Sequence, residues 1–194
     1  MKKIFIICSV ILMLFGCSSS SKPSATVENY LKAYKDMSTE QMNKYRMKQV
    51  EDDISAVVDE ENHLYELLSD LLTNLDYKLS NEKIDGDNAT VDIEVSTYDL
   101  QLLIANVVNE YFTEAYSLVL AGATNEMLEA KMIDIFAKQT KELERTKKYK
   151  ATIKLTKIDS AWRINDEETD NIAFLNAITA NLASVMDSFD QIEE

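Results

Sequence analysis

Residues 88–97 read NATVDIEVST. Ala89, Val91, Ile93 and Val95 alternate with Thr90, Asp92, Glu94 and Ser96, a period of two that describes a strand with one dry and one wet face. Upstream, Leu75, Tyr77 and Leu79 alternate with polar residues, and Ile84-Asp85-Gly86-Asp87-Asn88 supplies a turn, so the two runs form a β-hairpin. Downstream the same period returns at Tyr149, Ala151, Ile153 and Leu155. A turn at Asp159-Ser160 leads on to Trp162 and Ile164, which gives a second hairpin.

The remaining segments follow the helical period. Val27, Tyr30, Leu31, Tyr34 and Met37 share one face of a first helix, with Ser24 as its expected N-cap. Ser38 and Gln41 form a capping-box pattern ahead of two further stripes. One runs through Met47, Val50, Ile54, Val57 and Val58, the other through Leu64, Leu67, Leu68, Leu71 and Leu72; residues 39–72 form one bent helix or two. Asp99 or Thr97 can cap a helix over 100–120, apolar on most sides, which predicts a buried central element. Gly122 ends it. Thr124 opens another helix with Leu128, Met132, Ile135, Phe136 and Leu143 inward, and Lys147 and Lys148 are placed to complement its dipole. A last helix over about 170–189 carries Ile172, Leu175, Ile178, Leu182, Val185 and Phe189. The expected fold is α+β: N-terminal helices on a curved antiparallel sheet of two hairpins, a long helical pair inserted between the hairpins, and a C-terminal helix.

The N-terminus speaks to location. Lys2 and Lys3 precede an uncharged run, IFIICSVILMLF (4–15), the pattern of an export signal. The run is too short to span a bilayer, which takes about 20 residues. Leu14-Phe15-Gly16-Cys17 resembles the lipobox of bacterial lipoproteins, which implies cleavage before Cys17 and a thioether-linked diacylglycerol on its sulfur. The thiolate is the side-chain nucleophile suited to that transfer, two acyl chains suffice for stable anchoring, and Ser18 to Pro23 supplies a polar tether. The expected organisation is a signal peptide over 1–16, a lipidated tether over 17–24 and a single α+β domain over 25–190, held on the extracytoplasmic face of a bacterial cell membrane. With Cys8 removed and Cys17 capped, disulfides, thiol catalysis and cysteine metal sites are excluded.

The full chain has a formal net charge of −14. Loss of residues 1–16 removes two lysines and no acids, which moves it to −16. A chain so acidic does not attract a polyanion whose affinity depends on lysine and arginine neutralising phosphates, so nucleic acid is excluded as a partner. No cofactor motif is present. His63 is the only histidine and has no partners for a metal site or triad. Asp85-Gly86-Asp87-Asn88 hints at calcium, but an EF-hand loop starting at Asp85 would need glycine and glutamate where Thr90 and Ser96 stand. The acidic groups 51–53, 59–61 and 166–168 read as solvated helix ends.

Three stretches together, TVENYLKAYKDMS (26–38), KIDGDNATVDIEVSTYDL (83–100) and IKLTKIDSAWRIND (153–166), resemble lipoproteins of Gram-positive bacteria placed in the nuclear-transport-factor-2-like superfamily. The resemblance implies helices laid across a curved sheet to make a cone, with any acid or base of an enzyme inside it. The dry strand faces would then line the interior with Leu75, Tyr77, Leu79, Ala89, Val91, Ile93, Val95, Tyr149, Ala151, Ile153, Leu155, Trp162 and Ile164. None is a carboxylate or imidazole, and general acid–base catalysis needs a titratable group near the working pH. The expectation is a non-catalytic protein that binds a small apolar ligand or peptide, with Tyr77, Val91, Ile93, Tyr149, Ile153 and Trp162 as candidate pocket lining and no catalytic residue. Tyr30, Tyr34 and Tyr45 can frame the mouth. The alternative is a packed core in a protein-interaction subunit of an envelope assembly, with helix 100–120 as the assembly face; a pocket enzyme ranks last.

Overall fold

The structure is a computed structural model that describes residues 22–49, 63–165 and 169–182. Among the described residues, six helices and four strands follow the order α1 (Pro23–Lys35), α2 (Thr39–Asn43), α3 (His63–Thr73), β1 (Asp76–Asp85), β2 (Asn88–Thr97), α4 (Leu100–Leu120), α5 (Asn125–Lys141), β3 (Lys147–Ile158), β4 (Ala161–Ile164) and α6 (Thr169–Ile178). The strands form one antiparallel sheet in the order β1-β2-β3-β4. The two hairpins are therefore joined edge to edge through β2 and β3, whose register sets Val91 beside Ile153 and Val95 beside Tyr149.

The turns behave as their residues require. Gly86 sits at φ +60° between β1 and β2, and Asp159 and Ser160 both adopt positive φ between β3 and β4. That pair of left-handed residues is the two-residue turn whose twist matches an antiparallel hairpin. A bulge at Asn81-Glu82 interrupts the β1–β2 pairing, and Asn81 takes positive φ there.

Two apolar clusters hold the fold. The larger unites α1, the dry face of the sheet and α6, through Val27, Tyr30, Leu31, Val91, Ile153, Trp162, Phe174 and Ile178 among others. All thirteen strand residues expected on the dry face lie in this cluster or pack against it. The smaller unites α3, α4 and α5, around Leu71, Leu100, Leu103, Val107, Ile135 and Phe136.

Several expectations are corrected. Pro23, not Ser24, takes the first helical position, where its missing N–H goes unneeded; the Ser24 N–H instead donates to the Glu82 carboxylate at 2.8 Å. Ser38 does cap α2, accepting from the Gln41 N–H, but that helix ends at Asn43. Met47 lies on no helix: the Met47 N–H donates to the Ile164 carbonyl at 3.0 Å and the Ile164 N–H to the Tyr45 carbonyl at 2.8 Å. The free edge of β4 takes these bonds because its own strand partner lies only on the β3 side. Val50, Ile54, Val57 and Val58, and the acidic groups 51–53, 59–61 and 166–168, fall outside the described residues.

Helix α4 has the bounds expected of it, with the Asp99 carboxylate accepting from the Leu102 N–H at 3.1 Å, but it is not a buried central element. It buries only Leu100, Leu103 and Val107. Lys147 and Lys148 belong to β3 and do not close α5, whose last turn carries Lys138 and Lys141. In α6 the buried side chains are Asn171, Phe174, Ala177 and Ile178, while Ile172 points outward; Val185 and Phe189 lie outside the described residues.

Candidate functional site

The six candidate lining residues come to one face of the sheet. Val91, Ile93, Ile153 and Trp162 are buried in the larger cluster, and Tyr77 and Tyr149 are half-buried at its rim. The two tyrosines flank Val95, which pairs with Tyr77 on one side and Tyr149 on the other. Side chains of α1 and α6 fill the volume above these residues. Tyr30 meets Phe174 with ring centroids 5.8 Å apart and planes tilted by 55°, a favourable edge-on geometry. Tyr34 is buried, and its hydroxyl donates to the Ile178 carbonyl at 3.1 Å, which ties α1 to the end of α6. Of the three tyrosines proposed for a mouth, Tyr30 and Tyr34 are core and Tyr45 packs against the core.

The phenols on this face are poor proton donors or acceptors. Burial pushes the Tyr34 pKa well above the ordinary phenol range. Burial, reinforced by the nearby Glu28 carboxylate, raises that of Tyr77, and burial raises that of Tyr149. Both effects disfavour the phenolate. The Lys35 ammonium lies over the Tyr77 ring, 5.6 Å from its centroid, and Lys157 lies at the same distance over Trp162, so each ring has a cation on its π face.

A concavity of about 720 Å³ is lined by Asn81, Asp92, Glu94, Lys150, Thr152 and Thr169 with four neighbours, of which only Ile93 was among the expected pocket-lining residues. Its residues come largely from the wet strand face, so alternation alone marked them as solvated. The Asp92 carboxylate accepts from the Asn81 amide at 2.9 Å and the Thr152 hydroxyl at 2.7 Å. Those bonds hold its pKa below the usual carboxylate range. The Glu94 carboxylate lies 3.3 Å from Lys150 and 3.6 Å from Lys148, and Lys150 above all depresses its pKa. Both acids are thus ionised and committed to neighbours near neutral pH, the opposite of the raised pKa a general acid needs.

Among the described residues no group of three or more histidine, cysteine, aspartate or glutamate side chains converges on a metal-sized site, and no helix is long and apolar enough to cross a membrane. His63 opens α3. Cys17 lies outside the described residues.

No family model and no curated protein matches the chain. Among solved structures, a crystal structure of a candidate lipoprotein (ycdA) from Bacillus subtilis matches the chain with a TM-score of 0.46 and 13% identity over 81% of this chain and 47% of that one. The chain therefore spans about half the length of that protein.

Proposed function

We propose that this chain is a lipid-anchored envelope protein that works without catalysis, by presenting its outer surfaces to another macromolecule rather than by enclosing a small apolar ligand. One observation carries the reading: the dry face of the sheet is occupied by α1 and α6, with Val91, Ile153 and Phe174 fully buried. Close-packed interiors leave few voids larger than a water molecule, so a guest among these side chains would have to displace a helix. The phenols raised by burial and the two committed carboxylates support the absence of acid–base chemistry. The nuclear-transport-factor-2-like relationship belongs to the same proposal, supported by an N-terminal helix lying on an antiparallel sheet; the cone is then a filled one.

Trp162 provides the test, since it is buried beside the sheet core. Titrating the full chain with fatty acids, detergent-like amphiphiles and apolar peptides is expected to leave its emission unchanged. A saturable change at one ligand per chain, abolished by Ile153→Trp, would restore the small-ligand reading.

The anchor rests on the sequence of residues 14–23. Cys17→Ala is expected to release the protein from the membrane fraction or leave it with its signal peptide attached. Unaltered tight attachment of a fully processed Cys17→Ala chain would refute lipidation.

A further inference from the structure

The helical arm α4–α5 offers a surface that the core and the sheet leave unused. Along α4, Leu102, Phe112, Tyr116, Val119 and Leu120 are 53%, 70%, 71%, 58% and 72% exposed. At 100° per residue, Leu102, Ala105, Asn106, Asn109, Phe112, Thr113, Tyr116 and Leu120 fall within about 60° of one line down the helix. None of them is charged. The only charges in the helix, Glu110 and Glu114, pair with Lys138 and Lys131 of α5. In a chain of net charge −14, this leaves an uncharged stripe about 27 Å long on an otherwise acidic molecule.

We infer that this α4 stripe pairs with the same stripe of a second copy, the two helices running antiparallel. The inference rests on the proposed macromolecule-binding role and names its partner. Three features favour a second copy over other occupants. Two acidic chains can meet along this stripe without setting carboxylates against each other, whereas a basic partner would find no fixed charge there to engage. Insertion into a bilayer would bury Asn106, Asn109 and Thr113 in hydrocarbon, where such groups are costly. The stripe is also self-complementary: a two-fold register that sets Leu102 against Leu120 brings Asn106 beside Tyr116 and Asn109 beside Thr113, and places the two Phe112 side chains next to each other near the axis. A face confined to one helix lies at the small end of specific interfaces, so pairing is weak in dilute solution. Anchoring both copies on one membrane raises their effective concentration.

The full chain, extracted in a non-ionic detergent, is expected to sediment as two copies at about 100 μM. Association should strengthen as salt rises from about 20 to 300 mM, because screening relieves repulsion between the acidic bodies. Phe112→Glu with Tyr116→Glu should weaken it at least tenfold without shifting the melting temperature, since both side chains are exposed. Mixed chains carrying Leu102→Cys and Leu120→Cys should form a disulfide dimer that neither forms alone. A single copy at 100 μM in 300 mM salt, association that weakens with salt, or no cross-link in the mixture would overturn the pairing. Flotation of the released Cys17→Ala chain with phosphatidylcholine vesicles, lost when Phe112→Glu and Tyr116→Glu are added, would assign the stripe to the bilayer and overturn it too. Wild-type chain run alongside distinguishes the two levels: cross-linking there reports a free Cys17 and a failed anchor, while altered Trp162 emission reports a failed binding role.

Discussion

Phe174→Ala is expected to destabilise the chain by about 3–5 kcal/mol, the range for removing a buried aromatic ring from a packed core. Phe174 is fully buried and bridges three elements: it projects from α6, meets the Tyr30 ring of α1 and sits in the cluster that includes Val91, Ile153 and Trp162. Its loss removes transfer free energy and opens a cavity in the cluster that holds Val91 and Ile153, β-branched strand residues whose stiffness limits collapse. Urea unfolding with tryptophan emission as the probe measures it. Ile172→Ala on the exposed side of the same helix should change stability by no more than about 0.5 kcal/mol. A Phe174→Ala loss below about 1 kcal/mol would mean that α6 does not dock on the sheet, and the filled-interior argument would fall with it.

Asn171→Ala is expected to cost about 2–4 kcal/mol, for a different reason. Asn171 is buried, and its amide behaves as a short extra strand at the β3 edge beyond the end of β4. Its oxygen accepts from the Lys154 N–H at 2.9 Å, and its nitrogen donates to the Lys154 carbonyl at 2.9 Å and to the Asn165 carbonyl. Truncation leaves the part-buried Lys154 N–H without this acceptor, and an unmet buried group costs about 1–3 kcal/mol. Hydrogen exchange gives a specific readout: the Lys154 amide should lose protection while amides in the middle of β2 keep theirs. Asn171→Asp preserves shape but replaces the donor with a carboxyl facing two carbonyl oxygens. Burial and those oxygens raise its folded pKa above the unfolded value of about 3.9. The variant is therefore closest to wild type below about pH 4 and falls further behind as pH rises through the raised pKa. A pH-independent difference, or unchanged protection at Lys154, would refute the edge-cap role.

The wet and dry faces of all four strands, both turns and the bounds of α4 were legible in the chain because each depends on local order. Alternation fixes which side chains share a face, Gly86 and Asp159-Ser160 reverse the chain, and Asp99 starts a helix that Gly122 helps to end. Asn171 carried no comparable signal. A polar residue in a first helical turn is ordinary, and its worth comes from meeting a strand edge seventeen residues away in sequence.

By itself, then, the amino-acid order decided composition-level properties: an acidic body, an uncharged apolar run over 4–15 shortly before Cys17, strands with one apolar face, and a helix over 100–120 whose only charges are Glu110 and Glu114. Only the tertiary arrangement decided what covers each apolar surface. Periodicity measures how greasy a face is, whereas burial depends on whether another element arrives to meet it. For the sheet, α1 and α6 arrive and the wall becomes a core; for the outer half of α4 none of the described residues does, and the same chemistry becomes a surface.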